Sequence, residues 1–352
     1  MQAAPDQLLE RRGLHYPHGE FVPEAGGLAE VWPGIFWLRM PLPFSLDHIN
    51  LWVLDGGDHW VVIDTGVATP QIKDYWRAAF DGPLRAKPVG RIIVTHYHPD
   101  HIGLAGWLAR KWGVTIEATR AEFMLARVLT LDVRDAPPPE VVDFYASHGW
   151  PEAAVARLRA SSWGNFARGV HPLPAGYKRL RAGDSFRIGG RLWEIVVGSG
   201  HSPEHACLYC AEEKLLISGD QVLPRITSNV SVYPTEPDAD PLGDWLDSIE
   251  HLRSLDAATR VFPAHNEPFL GLHTRLDQLD EDHRRKLDAL QLACAEPTSA
   301  YDSFPVLFRR GVSDGEIQMA TGEALAHLHW LERRGAVQRV FSEGQTRFIH
   351  LG

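Results

Sequence analysis

Residues 1–28 are polar and Gly/Pro-rich, carry no sustained period, and read as an irregular leader. From position 29 to 65 the apolar positions take on the pattern of strands. Ile35-Phe36-Trp37-Leu38 is followed by Ile49-Asn50-Leu51-Trp52-Val53-Leu54, then by the tight turn Asp55-Gly56-Gly57-Asp58 and the returning run Trp60-Val61-Val62-Ile63. Residues 71–80 read as an amphipathic helix, 91–95 as a buried strand, 103–112 as a helix and 114–116 as a strand. Residues 119–172 change character. Helical patterns around 121–131, 140–147 and 151–160 are broken by Pro137-Pro138-Pro139 and by Gly149-Trp150-Pro151, as in a helical insertion into a β-rich unit. A hairpin centred on Gly189-Gly190 follows, with strands at 206–210 and 214–217. A helix at 244–255 then carries Leu246, Ile249, Leu252 and Leu255 on one face, before a strand at 260–262.

Beyond position 270 the chain turns helical and charged, with Leu276, Leu279, His283, Leu287, Leu290 and Ala293 at helical spacing. Further helices, the last at 323–334, lead to a terminal hairpin around Ser342-Glu343-Gly344-Gln345. Helices followed by a hairpin in about 70 residues fit a small winged-helix module. The expected organisation is therefore a leader over 1–28, an α/β unit over 29–270 carrying the insertion 119–172, and a helical linker with a winged-helix domain over 271–352.

Composition narrows what such a chain can do. Of 352 residues, 44% are hydrophobic and 23% charged, which excludes a disordered or fibrous protein. Thirty-five basic against forty-five acidic residues disfavour coating of nucleic acid or of an anionic membrane. In the tail, six arginines (309, 310, 333, 334, 339, 347) meet six acidic residues (302, 314, 316, 323, 332, 343), so the winged helix is expected to pack or dimerise rather than read DNA. Three cysteines cannot build a disulfide framework, the first residues lack a secretory pattern, and no apolar run reaches membrane-spanning length. A cytoplasmic location is expected. Cys207-Leu208-Tyr209-Cys210 lies on a strand whose positions three apart face opposite ways, so packing is expected there rather than a joint metal or disulfide role.

Eighteen histidines are the unusual entry in this composition, and their placement carries the chemistry. Thr95-His96-Tyr97-His98-Pro99-Asp100-His101-Ile102-Gly103 sets three histidines and an aspartate in six positions where a strand passes into a helix. Neutral imidazoles and carboxylates are the donors a zinc-type ion takes. His96 and His98, two apart on extended chain, project the same way, while Asp100 and His101 at the turn address a second point.

This run resembles the signature of the metallo-β-lactamase superfamily. The later stations of that pattern follow in order: Asp64-Thr65-Gly66 before it, then Gly200-His201-Ser202-Pro203-Glu204-His205, Ile217-Ser218-Gly219-Asp220 and Phe262-Pro263-Ala264-His265. The resemblance implies a four-layered αββα sandwich and two divalent metal ions, zinc first with iron or manganese as alternatives. His96, His98 and His201 would hold one ion, Asp100, His101 and His265 the other, and Asp220 would bridge them. Asp64 would stand behind a ligand imidazole and fix its tautomer. His205 is either a proton donor behind the ligands or a buried, satisfied histidine. A hydroxide bridging two such ions is a nucleophile near neutral pH, with Asp100 orienting it and Asp220 holding both ions as the catalytic carboxylates.

The bond that is cleaved is less legible. A thioester or ester of a small to medium acyl substrate is the leading expectation, because a thiolate leaves without strong acid help. Alternatives within the superfamily are a single-strand endoribonuclease or phosphodiesterase and a lactonase. The tyrosine that lactonases place three residues after the bridging aspartate is Leu223 here. Outside it stand a serine hydrolase built on the elbow-like Gly200-His201-Ser202-Pro203-Glu204 and a non-catalytic metal-binding regulator. His48, Asn50, Arg225 and Asn229 are candidate substrate contacts. Phe123, Met124, Leu131, Phe144, Tyr145, Trp150, Trp163 and Phe166 either line an acyl pocket or form the insertion's own core. The expected partners are a small-molecule substrate and a second copy of the chain, with neither nucleic acid nor membrane.

Overall fold

The computed structural model describes residues 2–43 and 46–351. In chain order β1 (Gln2–Ala3), β2 (Leu9–Arg11), β3 (Leu14–Tyr16), β4 (Leu28–Trp32), β5 (Ile35–Pro41), β6 (His48–Asp55) and β7 (Trp60–Ile63) precede α1 (Pro70–Asp81), β8 (Val89–Ile93), α2 (Pro99–Ile102), α3 (Ala105–Trp112) and β9 (Ile116–Ala118). The insertion supplies α4 (Arg120–Leu131), α5 (Pro139–Ser147), α6 (Glu152–Arg159) and α7 (Asn165–Arg168). Next come β10 (Lys178–Arg179), β11 (Ser185–Ile188), β12 (Arg191–Gly198), β13 (His205–Cys210), β14 (Leu215–Gly219), α8 (Pro241–Leu252), β15 (Arg260–Pro263) and β16 (Phe269–Leu270). The last elements are α9 (Leu272–Ala293), α10 (Phe304–Leu307), α11 (Ile317–Arg333), β17 (Val337–Ser342) and β18 (Gln345–His350). Among the described residues no helix is long and apolar enough to cross a membrane.

The strands form two eight-stranded sheets, in the orders β1-β4-β5-β6-β7-β8-β9-β10 and β11-β12-β13-β14-β15-β16-β3-β2. Strand periodicity explains the layering. In β6, Ile49, Leu51 and Val53 face one way and pack with Ile72 and Trp76 of α1 and Leu108 of α3, while Trp52 and Leu54 face Phe262, Ile195 and Leu208 of the other sheet. With both faces covered, the strands read as continuous apolar runs. Trp37, Trp52, Trp193 and Phe262 are 0–1% exposed between the sheets, and each such side chain stabilises the sandwich by roughly 2–3 kcal/mol. The outer face of the second sheet is covered by α8, α9, the insertion helices α5 and α6, and α11. The result is the αββα sandwich. Cys207 lies on the helix-covered face of β13 and Cys210 on the intersheet face, and both are free.

Residues 2–28 are not an irregular leader. β2 and β3 form a hairpin that extends the second sheet through Leu270↔His15, and β1 runs parallel to β4. Leu14 and Tyr16 are 1% and 3% exposed. The hairpin turns at Arg12 and Gly13 with φ of 53° and 74°, a two-residue turn built without the usual Asn-Gly signal, and three-residue strands are too short for their period to be read.

The insertion divides its contacts. α4 packs on the first sheet through Phe123 and Ala126, whereas Phe144, Tyr145 and Trp150 join one core with Leu276, Leu325 and Phe348 near the C-terminus. Trp150 Nε1 donates to Thr321 Oγ1 at 2.7 Å, closing that seam.

Candidate metal centre

The sequence-nominated side chains follow the C-terminal ends of β7, β8, β12, β14 and β15, which contribute Asp64, His96, His201, Asp220 and His265. β7 and β8 are parallel, as are β14 and β15, and β12 shares their direction because both it and β14 run antiparallel to β13. Two glycines make room. Gly200, at φ +100°, lies against Trp245, where a Cβ would stand 2.5 Å from the tryptophan Cβ. Gly219, at φ +50°, lies against the His205 ring at 2.6 Å.

Two groups of donor atoms result. His96, His98, His201 and Asp220 form one, and Asp100, His101 and His265 the other, with the ligand atoms of each within 4.8 Å of one another. Asp220 addresses both. Its Oδ2 lies 3.4 Å from His201 Nε2, and its Oδ1 lies 3.6 Å from His101 Nε2 and 3.3 Å from His265 Nε2. Asp100 Oδ2 stands 3.5 Å from His265 Nε2 and 3.7 Å from His101 Nε2.

The rings are held from behind. His201 Nδ1 donates to the Asn229 carbonyl at 2.7 Å, His265 Nδ1 to the His48 carbonyl at 2.7 Å, and His101 Nδ1 to Asp64 Oδ2 at 2.7 Å. Asp64, itself at φ 60°, also accepts the Thr95 N–H and hydroxyl, both at 2.8 Å. Thr95 Oγ1, its proton committed to Asp64, accepts from His96 Nδ1 at 3.0 Å. Each bond leaves the Nε2 lone pair pointing into the centre. The His96 and His201 Nε2 atoms therefore face each other, lone pair to lone pair, at 3.3 Å, and His101 Nε2 and Asp220 Oδ1 are buried without a hydrogen-bond partner. Cations reconcile that arrangement, and the donor set of imidazole and carboxylate suits zinc-type ions.

Electrostatics separate the two groups. Burial and the neighbouring imidazoles hold His96 and His98 well below the ordinary histidine range. Burial also pulls on His101 and His265, but the Asp100 and Asp220 carboxylates outweigh it and raise both. Burial opposes ionisation of Asp220, yet His265 and His101 hold it well below the carboxylate range.

His205 is fully buried and accepts the Asp220 N–H on Nε2 at 3.1 Å, and burial pushes its pKa down to about 3. It positions Asp220 as a neutral acceptor, so its Nε2 carries no proton in this arrangement. Two substrate candidates need correction. Asn50 is 0% exposed, with its amide spent on Trp37 Nε1 at 2.7 Å and on the Pro263 and Asn266 carbonyls, so it shapes the His265 loop instead of meeting a substrate. His48 likewise serves that loop: its Nε2 accepts the Asn266 N–H at 2.9 Å and its Nδ1 bonds Asp47. Arg225 is turned to Glu267. Asn229 lines an open cleft. Ser202 is 4% exposed, and no histidine bonds its hydroxyl among the described residues, which removes the serine-elbow rival. Of the eight apolar insertion residues, four sit in cores, Phe166 and Trp163 pack partly buried against them with Trp163 bonding Asp132, and Met124 and Leu131 are exposed. Ala121 and Leu125 of α4 line the cleft beside His201 instead.

One residue escaped sequence reasoning. Glu122 is 0% exposed and accepts the backbone N–H of Tyr97 at 2.9 Å and of Glu204 at 2.7 Å, tying the His96–His98 loop to the His201 loop. Burial raises its pKa to about 6. Thr119-x-x-Glu122 has the form of a capping box, but Glu204 Oε2 caps Ala121 N instead and Thr119 Oγ1 bonds the Glu204 carbonyl.

Comparison with known proteins agrees with this geometry. A β-lactamase domain protein from Burkholderia ambifaria superposes with a TM-score of 0.89 at 40% identity, covering 96% of this chain and 98% of that one. The acyl-coenzyme A thioesterase MBLAC2 of Bos taurus is 30% identical over 251 residues, 67% of this chain and 79% of that protein. The atrochrysone carboxyl ACP thioesterase of Aspergillus fumigatus is 24% identical over 246 residues, and the match spans 44% of its length. A metallo-β-lactamase-like C-terminal domain model matches residues 287–351, and the metallo-β-lactamase superfamily model matches 45–265. The chain belongs to the metallo-β-lactamase superfamily.

Proposed function

We propose that this chain is a dinuclear metal-dependent thioesterase. The observation that carries the reading is the division of Asp220, one carboxylate oxygen turned to each imidazole group. His96, His98 and His201 would hold one ion and Asp100, His101 and His265 the other, zinc in the first instance with iron or manganese acceptable to the same donors. When bound, such a pair supplies Lewis-acid activation of water and of the substrate carbonyl.

The chain's own groups do the rest. Asp100, with a side chain 19% exposed, is the more open of the two carboxylates and would take the proton of the attacking water. Asp220 keeps the two halves in register. The C–S bond breaks as the C–O bond forms, and sulfur departs as thiolate, which needs no proton from the enzyme. That suits a site whose nominated donor, His205, is a neutral acceptor. The thioesterase names of the bovine and Aspergillus relatives support the same substrate class.

Purified protein would be assayed on acyl-CoA thioesters, lactones, phosphodiesters and single-stranded RNA. Thioester hydrolysis that a chelator abolishes is expected. Cleavage of RNA alone would overturn the reading.

A further inference from the structure

Two clefts of opposite character lie near His201, one lined by it and the other by Asn229, whose carbonyl holds it. The first, about 770 Å³, is lined by His201, Tyr97 and Leu125 together with Glu236, Asp238, Asp240 and Asp244. The cation on that wall, Arg333, is already committed, donating to the Asp238 carbonyl at 2.6 Å and standing 3.9 Å from Asp240. A polyanion is repelled from that mouth.

The second cleft lies at the seam between the sandwich and the C-terminal helices, where ligand sites favour domain boundaries. It measures about 520 Å³, and Asn229, whose carbonyl holds His201, forms one wall. Leu307, Phe308, Val312 and Met319 give it an apolar lining. The segment 308–312 also borders a cavity of about 570 Å³ on its other side, so Arg309 and Arg310 stand between the two spaces. Arg310 shares a surface ion pair with Glu316 at 2.7 Å, and the Arg309 guanidinium has no hydrogen-bond or ion-pair partner among the described residues. Glu323 on the floor is neutralised by Lys286 Nζ at 3.0 Å and Glu316 by Arg310, leaving Arg309 as the uncompensated charge of the cleft.

We propose that this seam binds the phosphorylated pantetheine carrier of the thioester, with the apolar wall against the arm and Arg309 and Arg310 on its phosphates. The proposal rests on the thioesterase reading. An arm entering past Asn229 brings its sulfur end to the His201 side of the centre, and the acyl group is left for the cleft lined by Tyr97 and Leu125. Guanidinium is the side chain suited to phosphate, through paired N–H donors.

The test compares wild type with the Arg309→Glu, Arg310→Glu double variant on one acyl group carried by coenzyme A and by neutral N-acetylcysteamine. The ratio of kcat/KM for the coenzyme A ester over the neutral ester is expected to fall at least about tenfold, mainly through KM, and less at high salt. An unchanged ratio overturns the proposal. Desulfo-coenzyme A, which has no thioester, measures the seam without turnover. Calorimetric binding to wild type that the double variant loses supports the proposal even if thioester hydrolysis fails, and equal binding or none by both proteins overturns it.

Discussion

His96, His98, His101, His201 and His265 crowd around Asp100 and Asp220, whereas His148, His283, His327 and His329 are buried between the insertion and the C-terminal helices at 0–7% exposure. Both groups contain rings tied to backbone carbonyls, His201 and His265 in the first and, in the second, His148 Nδ1 to Phe144 at 2.6 Å, His327 Nδ1 to Glu323 at 2.8 Å and His329 Nδ1 to Ala239 at 2.9 Å. His283 Nδ1 donates to His327 Nε2 at 3.2 Å. The difference lies in the carboxylates. Among the described residues none hydrogen-bonds the second group, and burial, helped by neighbouring positive charge, lowers His148 to about 4 and His283 to about 2. In the first group Asp100 and Asp220 reverse that effect on His101 and His265. Burial makes an imidazole neutral, and converging lone pairs beside a carboxylate make it a ligand.

Removing the shared carboxylate should erase the distinction. Asp220→Ala is expected to lower kcat/KM by at least about a thousandfold and to lose bound metal, read by steady-state kinetics and elemental analysis. Full metal content in that variant would contradict the bridging role. A smaller effect should come from the clamp behind the ligands. Glu122→Gln turns an NH₂ toward the N–H of Tyr97 or Glu204, and chelator competition should show metal affinity about 10–100-fold weaker with the circular dichroism spectrum retained. In the other group, His283→Leu should leave metal content at the wild-type level and shift the unfolding free energy by less than about 3 kcal/mol.

Acid sharpens the same contrast. His148 and His283 have folded pKa values of about 4 and 2 against 6.5 for the free side chain, so below pH 6.5 the unfolded chain takes up protons that the folded chain refuses. Their contribution is complete above 6.5 and is lost as pH falls, toward 4 for His148 and toward 2 for His283. Urea midpoints measured at pH 7 and pH 5 should therefore converge in His148→Phe relative to wild type.

The clustered donors were legible because four of them stand within six positions, and their spacing on strand and turn is a local property. Asn50 was misassigned although period two places it on the Trp52 face, between the sheets. Its partners, Pro263 and Asn266, lie more than 200 positions away, where no local pattern reaches. Glu122 hid for the same reason: its acceptor role depends on loops 25 and 82 positions distant, and its own neighbourhood imitates a helix cap. Both cleft walls come from segments that meet only in three dimensions, so apolar content in the insertion could not say which side chains faced a cavity.

The Trp150–Thr321 hydrogen bond spans 171 positions, and the core around it also needs Phe348, which is fully buried. Synthesis proceeds from the N-terminus, and loop closure of that length is entropically costly until many contacts form together. On the ribosome, Phe144, Tyr145 and Trp150 meet these last core partners only once residue 348 has emerged.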